Sequence, residues 1–429
     1  MIPEAPLEFA PSIRRLPGGA GFEESRLTRD WSVGVADVAD VADVVYVGFV
    51  LGHGGDALQM LQLARGVQAS GCRVRIVVPE LETTRTFKQR CDALGIECER
   101  SPLLTATSEG ARQKPLAVAR LLRSLREPIV HFHTGNSLLP LLLLLNLMVQ
   151  RHRRSFATIH SPYETIRPKT ARARLWAFVA RRRLAAVVSP SEHGSSFQRS
   201  CGIDAHLVRT IHNCVDLEAI VKADPDPVRR QLGVANDIPL IVFTSRLDLQ
   251  KRPVDAVRIF ALISSEHPTA RLVFVGSGDE HDAIVTEARL SALSDRVDLV
   301  GYQKNVPDWL AASTIWLLPT ERENFSVAVL EALAAGCTVL ATECEGNREV
   351  LVDGANARTF PVGDIRSAGR ILGELLVDDG QRDRLTAGAR ATASRYSIDE
   401  MVNQYCHLYQ RTQDLTPALR ARLARDERG

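Results

Sequence analysis

Two successive series of short apolar segments alternate with helical patterns, and this alternation restricts the fold more than any other feature of the sequence. The first series predicts strands at 44–50, 74–78, 129–133, 156–160 and 186–189; the second predicts strands at 240–244, 271–275, 297–300, 314–318 and 338–341. Strands that alternate with helices in this way form parallel sheets covered by helices. The sequence therefore predicts an α/β protein with two doubly wound, Rossmann-like domains facing across a cleft, with the ligand at the carboxyl ends of the strands.

The length of 429 residues is sufficient for two such domains. The segment KADPDP at 222–227 is typical of a linker between them. We predict a partly disordered N-terminal extension at 1–43, a first domain at 44–220, a second domain at 221–395 and a helical tail at 396–429.

Composition and segment lengths exclude several classes of protein. A net charge of +2 argues against a nucleic-acid partner, and eight cysteines without CxxC pairs are typical of buried thiols in a reducing cytosol. The first thirty residues lack the pattern of a secretory signal, which predicts a cytoplasmic location. The apolar run at 138–149 is shorter than the roughly 20 residues of a membrane span and predicts a buried helix. Basic residues at 151–154 follow it, so contact with the inner face of a membrane stays open.

The segment PTERENFSVAVLEALAAG at 319–336 carries the strongest chemical signal. It follows a predicted strand and becomes helical after Ser326, the predicted N-cap, so Glu323 precedes the helix and Glu331 lies inside it, with seven residues between them. A helix N-terminus suits a phosphate, and ionised carboxylates accept hydrogen bonds from vicinal hydroxyls. This order of groups suits a sugar diphosphonucleoside. Taken alone, the pattern also fits a surface glutamate and one that favours the helix dipole.

The E-x7-E pattern followed by EALAAG resembles the signature of the retaining glycosyltransferases of family 4, which have the two-domain GT-B fold. The resemblance implies that Glu323 holds hydroxyls of the donor sugar, helped by the backbone N–H groups of Asn324, Phe325 and Ser326. It implies that Glu331 holds the ribose diol. The matching motifs cover roughly residues 44–395, in the order that the family requires. The resemblance also implies that the helical tail at 396–429 crosses back onto the first domain.

A basic loop at 244–253, TSRLDLQKRP, is similar to the family's diphosphate loop. Ser245 and Arg252 stand where the family has glycine, whereas Arg246 and Lys251 keep the family's spacing. The resemblance implies that these two cations neutralise the charge on the leaving nucleoside diphosphate. They would replace a metal ion, since the one Asp-x-Asp sequence, at 224–226, lies in the predicted linker. The alternative is a solvated pair of surface residues.

Two further matches lie on the nucleotide side. Gly278 belongs to a G-x-G turn after a predicted strand, and Tyr302 follows the next strand, where the family's backbone contacts the base. The Tyr302 ring could stack on the base or be an ordinary buried aromatic. Glu345-Gly346 replaces the family's Gly-Gly pair near the donor sugar, which leaves the identity of that sugar open.

In the first domain, Gly54 and Gly55 lie in the turn GHGGD between the first strand and the first helix. Glycines allow a ligand to approach the backbone, although a tight turn alone also explains them. A third glycine at dinucleotide spacing is missing, which argues against a nicotinamide cofactor. In the resembled family such glycines lie against the donor diphosphate, and Asp56 would then face the acceptor.

Histidines end two strands of the first domain. The resemblance assigns His133 to the donor sugar near its reacting carbon, and Thr134 and His160 to the acceptor side. His131 shares a face with His133 and is predicted to be a core histidine with satisfied hydrogen bonds. No nearby carboxylate or cysteine completes a metal site, so no metal is predicted. Cys214 replaces the family's glycine in N-G-V-D, which would be costly if that backbone needs a positive φ.

The segment at 172–183, RARLWAFVARRR, predicts a basic amphipathic helix. Such a helix could dock on an anionic membrane or a phosphorylated acceptor. It could equally be a solvated helix whose apolar face packs on the first domain.

The resemblance as a whole implies a retaining hexosyltransferase. It would transfer the sugar of a nucleoside diphosphate, with UDP favoured, to the hydroxyl of a small molecule, glycan or lipid-linked sugar by front-face displacement. The nucleotide sugar is a co-substrate, and no other cofactor is predicted. Two alternatives stay open: a nucleotide-sugar epimerase of the same architecture, and a non-catalytic protein that binds nucleotide sugars.

Overall fold

The computed structural model describes residues 43–48, 54–104, 115–134, 154–161 and 167–411. The predicted N-terminal extension (apart from residue 43), the apolar run at 138–149 and the basic residues 151–153 lie outside the described residues, as does the tail after residue 411. Contacts divide the chain into two compact units. One contains the described residues up to Cys214 together with those from Tyr396 onward, and the other is Val215–Arg395.

The first unit is built on a parallel sheet that has seven strands in the described part of the chain. They are β1 (Val44–Gly48), β2 (Val74–Pro79), β3 (Glu97–Ser101), β4 (Ile129–Thr134), β5 (Arg154–Ile159), β6 (Leu184–Ser189) and β7 (Val208–Thr210). Their order in the sheet is β3-β2-β1-β4-β5-β6-β7. The helices between them are α1 (Gly55–Ala69), α2 (Thr83–Ala93), α3 (Pro115–Ser124), α4 (Ala171–Arg183) and α5 (Glu192–Ser200).

The apolar run of β1 is buried on both faces of this sheet. Val44 and Tyr46 belong to the hydrophobic core that includes side chains of α1, whereas Val45 and Val47 belong to a second core that includes Trp176 of α4. Because side chains alternate along a strand, a strand covered on both faces must be apolar at every position. This continuous apolar pattern is what made the central strands predictable.

The second unit is also built on a parallel sheet, with six described strands in the order β10-β9-β8-β11-β12-β13. They are β8 (Leu240–Thr244), β9 (Arg271–Val275), β10 (Val297–Gly301), β11 (Ile315–Leu318), β12 (Thr338–Thr342) and β13 (Arg358–Phe360). The helices are α6 (Leu217–Val221), α7 (Asp226–Leu232), α8 (Pro253–Ile263), α9 (His281–Leu290), α10 (Val306–Ala311), α11 (Val327–Ala335), α12 (Glu345–Arg348), α13 (Ile365–Val377) and α14 (Asp379–Ala393). The predicted α/β class with two Rossmann-like domains is confirmed.

The units separate slightly earlier in the chain than the sequence predicted. Helix α6 contacts α10 and α11 and therefore belongs to the second unit, which begins at Val215 and not at 221. Asp216 caps α6, because its side chain accepts a hydrogen bond of 3.0 Å from the Ala219 N–H. The last two residues of the predicted linker begin α7.

The last described helix, α15 (Ile398–Arg411), packs on the sheet of the first unit and contacts α1. Its Tyr409 hydroxyl is 2.6 Å from His131 Nδ1, and its Tyr405 hydroxyl is 2.9 Å from Thr158 Oγ1. These buried hydroxyls are satisfied by partners in β4 and β5, so the helix is fixed by polar as well as apolar contacts.

All eight cysteines are buried and none forms a disulfide, as predicted. Within the described ranges, no helix is both long enough and apolar enough to cross a membrane.

Candidate active site

Two loops of the second unit leave neighbouring strands at the point where the strand order reverses. Strand β8 pairs with β9 on one side and with β11 on the other. The loop after β8 contains Arg246 and Lys251, and the loop after β11 contains Glu323. Ligands of open α/β sheets bind at the carboxyl ends of the strands, at such a switch point.

Lys251 and Glu323 form a direct ion pair in which Lys251 Nζ lies 2.5 Å from Glu323 Oε1. Only 11% of the lysine side chain and 7% of the glutamate side chain are exposed. The sequence indicated a diphosphate contact for one residue and a sugar contact for the other, but it did not indicate that they bind each other. In a nearly buried pair each charge compensates the desolvation of its partner, so neither residue can be removed without cost.

Main-chain hydrogen bonds join the two loops beside this pair. The carbonyl of Gln250 accepts hydrogen bonds from the N–H of Glu321, at 2.8 Å, and from Thr320 Oγ1, at 3.1 Å. The Gln250 side chain donates to the carbonyl of Arg322 at 2.9 Å. The sequence analysis did not identify Gln250 or Thr320. In the sequence, each is only a polar residue that follows a buried strand by a few positions. These bonds hold Lys251 and Glu323 within reach of each other.

The start of helix α11 has the predicted cap. Ser326 Oγ accepts a hydrogen bond of 3.4 Å from the Val329 N–H, and Asn324 and Phe325 are buried in the turn before it. A side chain on Gly346 would overlap the carbonyl oxygens of Glu323 and Asn324. This contact explains why glycine is needed at position 346, whereas Glu345 is exposed.

Glu331, inside α11, is a half-buried carboxyl group with no hydrogen-bond or ion-pair partner among the described residues. Burial raises its pKa from the ordinary 4.5 to about 7. A carboxylate left without a donor in a poorly solvated place gains from a ligand that supplies hydroxyl donors. This environment is compatible with the diol contact that the resemblance implies.

We expect the stability of the unliganded protein to fall as the pH rises through the range in which Glu331 ionises. The native state binds this proton more tightly than the unfolded chain does, so its contribution is complete below about pH 4.5 and is lost as the pH passes 7. We expect a loss of about 2 kcal/mol in the free energy of unfolding, and Glu331→Gln should remove most of this dependence. Urea unfolding of both proteins at pH 5 and pH 8 measures it; identical pH profiles would contradict the assignment.

The basic loop after β8 is ordered by its own acidic residue. Asp248 Oδ1 accepts a hydrogen bond of 3.1 Å from the Lys251 N–H, and Asp248 Oδ2 lies 3.1 Å from the guanidinium of Arg246. The Arg246 side chain is 61% exposed.

Arg252, at a glycine position of the family, adopts φ +51°, and its Nε bonds Asp255 at 2.6 Å. Arg252 thus adopts the left-handed backbone conformation that glycine adopts more easily. Its ion pair with Asp255 offsets part of the resulting backbone strain.

The G-x-G turn after β9 packs directly against this loop. A side chain on Gly276 would overlap the carbonyl oxygen of Ser245, and one on Gly278 would overlap the backbone of Leu247. The structure therefore gives both glycines a role in seating the Arg246 loop, in addition to the donor contact predicted for Gly278. Tyr302, after β10, is 44% exposed, which excludes the alternative of an ordinary buried aromatic.

The first unit has a corresponding switch point between β1 and β4, where Gly48 lies opposite His133. Gly54 precedes α1 as its N-cap, and Asp56 lies in the first turn of that helix. A side chain on Gly54 would overlap the Asp56 carboxylate. Gly55 is exposed at the helix start, so the backbone there is open to a ligand.

His133 is buried and its Nδ1 lies 3.1 Å from His160 Nε2, but its own Nε2 has no hydrogen-bond partner among the residues that the structure describes. Burial, together with His131 and His160, lowers the pKa of His133 well below its usual range, so its ring is neutral. Burial also lowers the pKa of His160, while Asp56 opposes that shift. A neutral imidazole can donate a hydrogen bond to a ligand hydroxyl or accept one from it, but it cannot supply a positive charge.

His131 is the satisfied core histidine that the sequence predicted. Its Nδ1 bonds Tyr409 and its Nε2 lies 2.9 Å from Thr158 Oγ1. Burial lowers the pKa of His131 to about 3.

Thr134 is buried at the end of β4, and its carbonyl accepts a hydrogen bond of 3.0 Å from the His160 N–H. The acceptor-side role of Thr134 stays a prediction.

Cys214 causes no backbone strain, because it is not among the residues with a positive φ. The Gln59 side chain accepts from its N–H at 2.7 Å and donates to its carbonyl at 2.8 Å. The family's glycine at this position is therefore replaceable.

No group of three or more His, Cys, Asp or Glu side chains in the described ranges is arranged to hold a metal ion.

Comparisons with known proteins match both units of the chain. Residues 225–392 match the family "Glycosyl transferases group 1", and residues 53–219 match "Glycosyltransferase Family 4". A D-inositol 3-phosphate glycosyltransferase of Xylanimonas cellulosilytica is 31% identical over 247 residues, covering 54% of this chain and 58% of the relative. An N-acetyl-alpha-D-glucosaminyl L-malate synthase of Bacillus anthracis is 29% identical over 203 residues, covering 47% and 53%. The chain thus spans little more than half the length of these curated relatives.

Solved structures extend the likeness to most of the fold. Anabaena HepE in complex with UDP has a TM-score of 0.72 at 20% identity, covering 86% of this chain and 99% of HepE. A glycosyltransferase from Rickettsia africae has a TM-score of 0.73 at 14% identity, covering 88% and 100%. At these identities the likeness shows the fold alone, and that fold is GT-B, as the resemblance predicted.

Proposed function

Because the chain belongs to glycosyltransferase family 4, we propose that it transfers a sugar from a nucleoside-diphosphate sugar to an acceptor hydroxyl. The observation that carries this proposal is the nearly buried Lys251–Glu323 pair at the strand switch point of the second unit. A cation and a carboxylate side by side, just before a capped helix N-terminus, complement a diphosphate that is bonded to a polyhydroxylated ring.

In the proposed reaction, Lys251 and Arg246 stabilise the negative charge that develops on the leaving nucleoside diphosphate. This stabilisation acts in the transition state more than in the ground state, so it raises the rate. Glu323 holds hydroxyls of the donor sugar, and Glu331 holds the ribose diol. Two fixed cations on one loop support a reaction in which no metal ion is needed at the diphosphate.

We propose retention of configuration by front-face displacement. The leaving phosphate oxygen accepts the acceptor's hydroxyl proton while the C1–O bond to the phosphate breaks and the new glycosidic bond forms on the same face. Neutral His133, whose buried Nε2 has no partner in the described part of the chain, would form a hydrogen bond with the donor sugar. Thr134, His160 and Asp56 would lie on the acceptor side. Product anomeric configuration, measured by NMR, tests this step.

UDP is the favoured nucleotide because HepE, a structural neighbour, was solved with UDP and with UDP-glucose. The acceptor is a hydroxyl of a small molecule, a glycan or a lipid-linked sugar. The curated relatives are named for inositol 3-phosphate and L-malate, and both names support a small acidic acceptor.

A thermal-shift series of the purified protein against UDP, GDP and ADP tests the donor site. We expect one nucleotide to raise the melting temperature clearly, since a ligand at a hundred times its Kd stabilises the native state by about 2.7 kcal/mol. UMP is the control, because it lacks the second phosphate that Lys251 and Arg246 would bind. Equal shifts with UMP and UDP, or none with any nucleotide, would contradict the proposed site.

Incubation with the nucleotide sugar alone separates the remaining alternatives. Slow hydrolysis of the donor supports a transferase, whereas conversion to an epimer without acceptor would identify an epimerase of the same architecture. Binding with neither reaction, across a panel of hydroxyl acceptors, would identify a non-catalytic protein.

A further inference from the structure

Helix α4 has a buried face and an unusual solvent face. Trp176, Val179 and two alanines, Ala173 and Ala180, are buried in the core of the first unit, as the simpler sequence interpretation predicted. The opposite face nevertheless exposes two large apolar side chains, Leu175 at 40% and Phe178 at 48%. With a spacing of three residues, these two side chains lie next to each other on one side of the helix.

Positive charge surrounds this apolar pair. Helix α4 contains five arginines and no acidic residue, whereas the whole chain has a net charge of only +2. Arg174 and Arg182 are exposed on the same face, and the Arg182 guanidinium lies 4.5 Å from the centre of the Phe178 ring. Arg181 has an acidic partner, Asp204, at 3.5 Å. Two further cations, Arg167 and Lys169, are exposed just before the helix.

We propose that this face of α4 docks on the surface of a lipid bilayer that carries anionic headgroups. A helix that lies in the interface inserts its apolar side chains between the headgroups, and its arginines contact phosphate groups. The Arg182–Phe178 contact fits this position, because an arginine next to an inserted ring can reach the headgroup level. Scattered single apolar residues would need no partner, but an adjacent pair ringed by cations matches the charge and polarity of an anionic interface.

The helix is prepared for this role without refolding. Thr170 caps its N-terminus by accepting a hydrogen bond of 3.2 Å from the Ala173 N–H, and the buried face fixes its orientation on the sheet. The exposed side chains therefore project from a rigid helix, which reduces the conformational entropy lost on docking. The proposal concerns a surface and not the sugar-transfer site, so it can fail while the proposed function holds.

Co-sedimentation with vesicles tests the proposal on the full chain. We expect the protein to bind phosphatidylcholine vesicles that contain phosphatidylglycerol at least about tenfold more strongly than phosphatidylcholine alone, and to lose that binding at high salt. Two double variants dissect the face: Leu175→Ser with Phe178→Ser, and Arg174→Gln with Arg182→Gln. Each should weaken binding by about tenfold or more, because each removes one of the two contributions.

A matched control is available on helix α9, where Arg289 is exposed and its neighbour Leu290 is 74% exposed. Arg289→Gln with Leu290→Ser removes the same kinds of side chain and should bind vesicles like the wild type. Transfer to a water-soluble acceptor should be unchanged in all three variants, since none lies in the proposed site. Unchanged melting temperatures will show that the exposed substitutions leave the fold intact.

Three results would overturn the proposal. They are equal binding to neutral and anionic vesicles, wild-type binding by both α4 variants, and no binding to anionic vesicles at low salt. If the Leu175/Phe178 variant instead abolishes a concentration-dependent dimer and the protein ignores vesicles, the face is an interface between two copies of this chain and not a membrane surface.

Discussion

Replacing Lys251 with alanine should abolish sugar transfer, lowering kcat/KM by about a thousandfold or more. The same change should reduce the free energy of unfolding by roughly 3 kcal/mol or more, because it leaves the Glu323 carboxylate nearly buried without its partner. Glu323→Ala should show both effects for the converse reason. The roles that the sequence indicated for these residues explain the loss of activity, and the ion pair explains the loss of stability.

A double variant separates the two effects. Lys251→Met with Glu323→Gln removes both charges, so no unpaired buried charge remains and most of the lost stability should return. Activity should not return, since the cation needed at the diphosphate is still missing. Urea unfolding and steady-state kinetics on the two single variants and the double variant provide both readouts.

The exposed pair of Lys222 and Glu218 serves as a control in the same unit. Its atoms are 2.6 Å apart, but its lysine side chain is 61% exposed. Lys222→Ala should therefore cost less than about 1 kcal/mol and leave turnover unchanged. If either single variant retains wild-type turnover, or if the double variant regains it, the proposed site is wrong.

Gly276→Ala should be the most damaging substitution outside the charged residues. The backbone of Gly276 has φ +154°, a conformation that side chains do not tolerate, and an added methyl group would overlap the Ser245 carbonyl. Because both obstacles are backbone, no rotamer change can relieve them. We expect a loss of at least about 3 kcal/mol in stability, or a displaced Arg246 loop with about a hundredfold lower kcat/KM.

Gly278→Ala should behave in the same way, because its methyl group would overlap the backbone of Leu247. Gly373, in helix α13, is the matched control, since a methyl group there would make an ordinary 3.5 Å contact with Ile263. Gly373→Ala should be neutral or stabilising by up to about 1 kcal/mol, as alanine favours helix. Wild-type stability and kinetics for both Gly276→Ala and Gly278→Ala would show that the G-x-G turn does not seat the arginine loop.

Three of the four edge strands in the described sheets show where sequence patterns stop being informative. Strand β3, Glu97–Ser101, has the sequence ECERS, and the three-residue strands β7 and β13 are too short to show a period. None of them was predicted. A strand at the edge of a sheet is partly solvated, so it needs no continuous apolar run and resembles a loop in sequence.

At the site, the sequence predicted the cap Ser326 and the residues Lys251 and Glu323 but not their relationship. They are 72 positions apart, and the contact depends on β8 and β11 being neighbours in the sheet. The roles of Gly276, Gly278 and Gly346 were hidden for a related reason, since each is dictated by the backbone of another loop and not by its own neighbours in sequence.

The sequence by itself determined the α/β class, the central strands, the helix cap and the family, because these depend on local periodicity and on motifs with fixed spacing. Only the tertiary structure decided that Lys251 neutralises Glu323 and that Leu175 and Phe178 face solvent. It also decided that Glu331 has a raised pKa and lacks a partner among the described residues. Charge pairing, desolvation and exposure depend on which distant segments meet, and a linear sequence does not contain those distances.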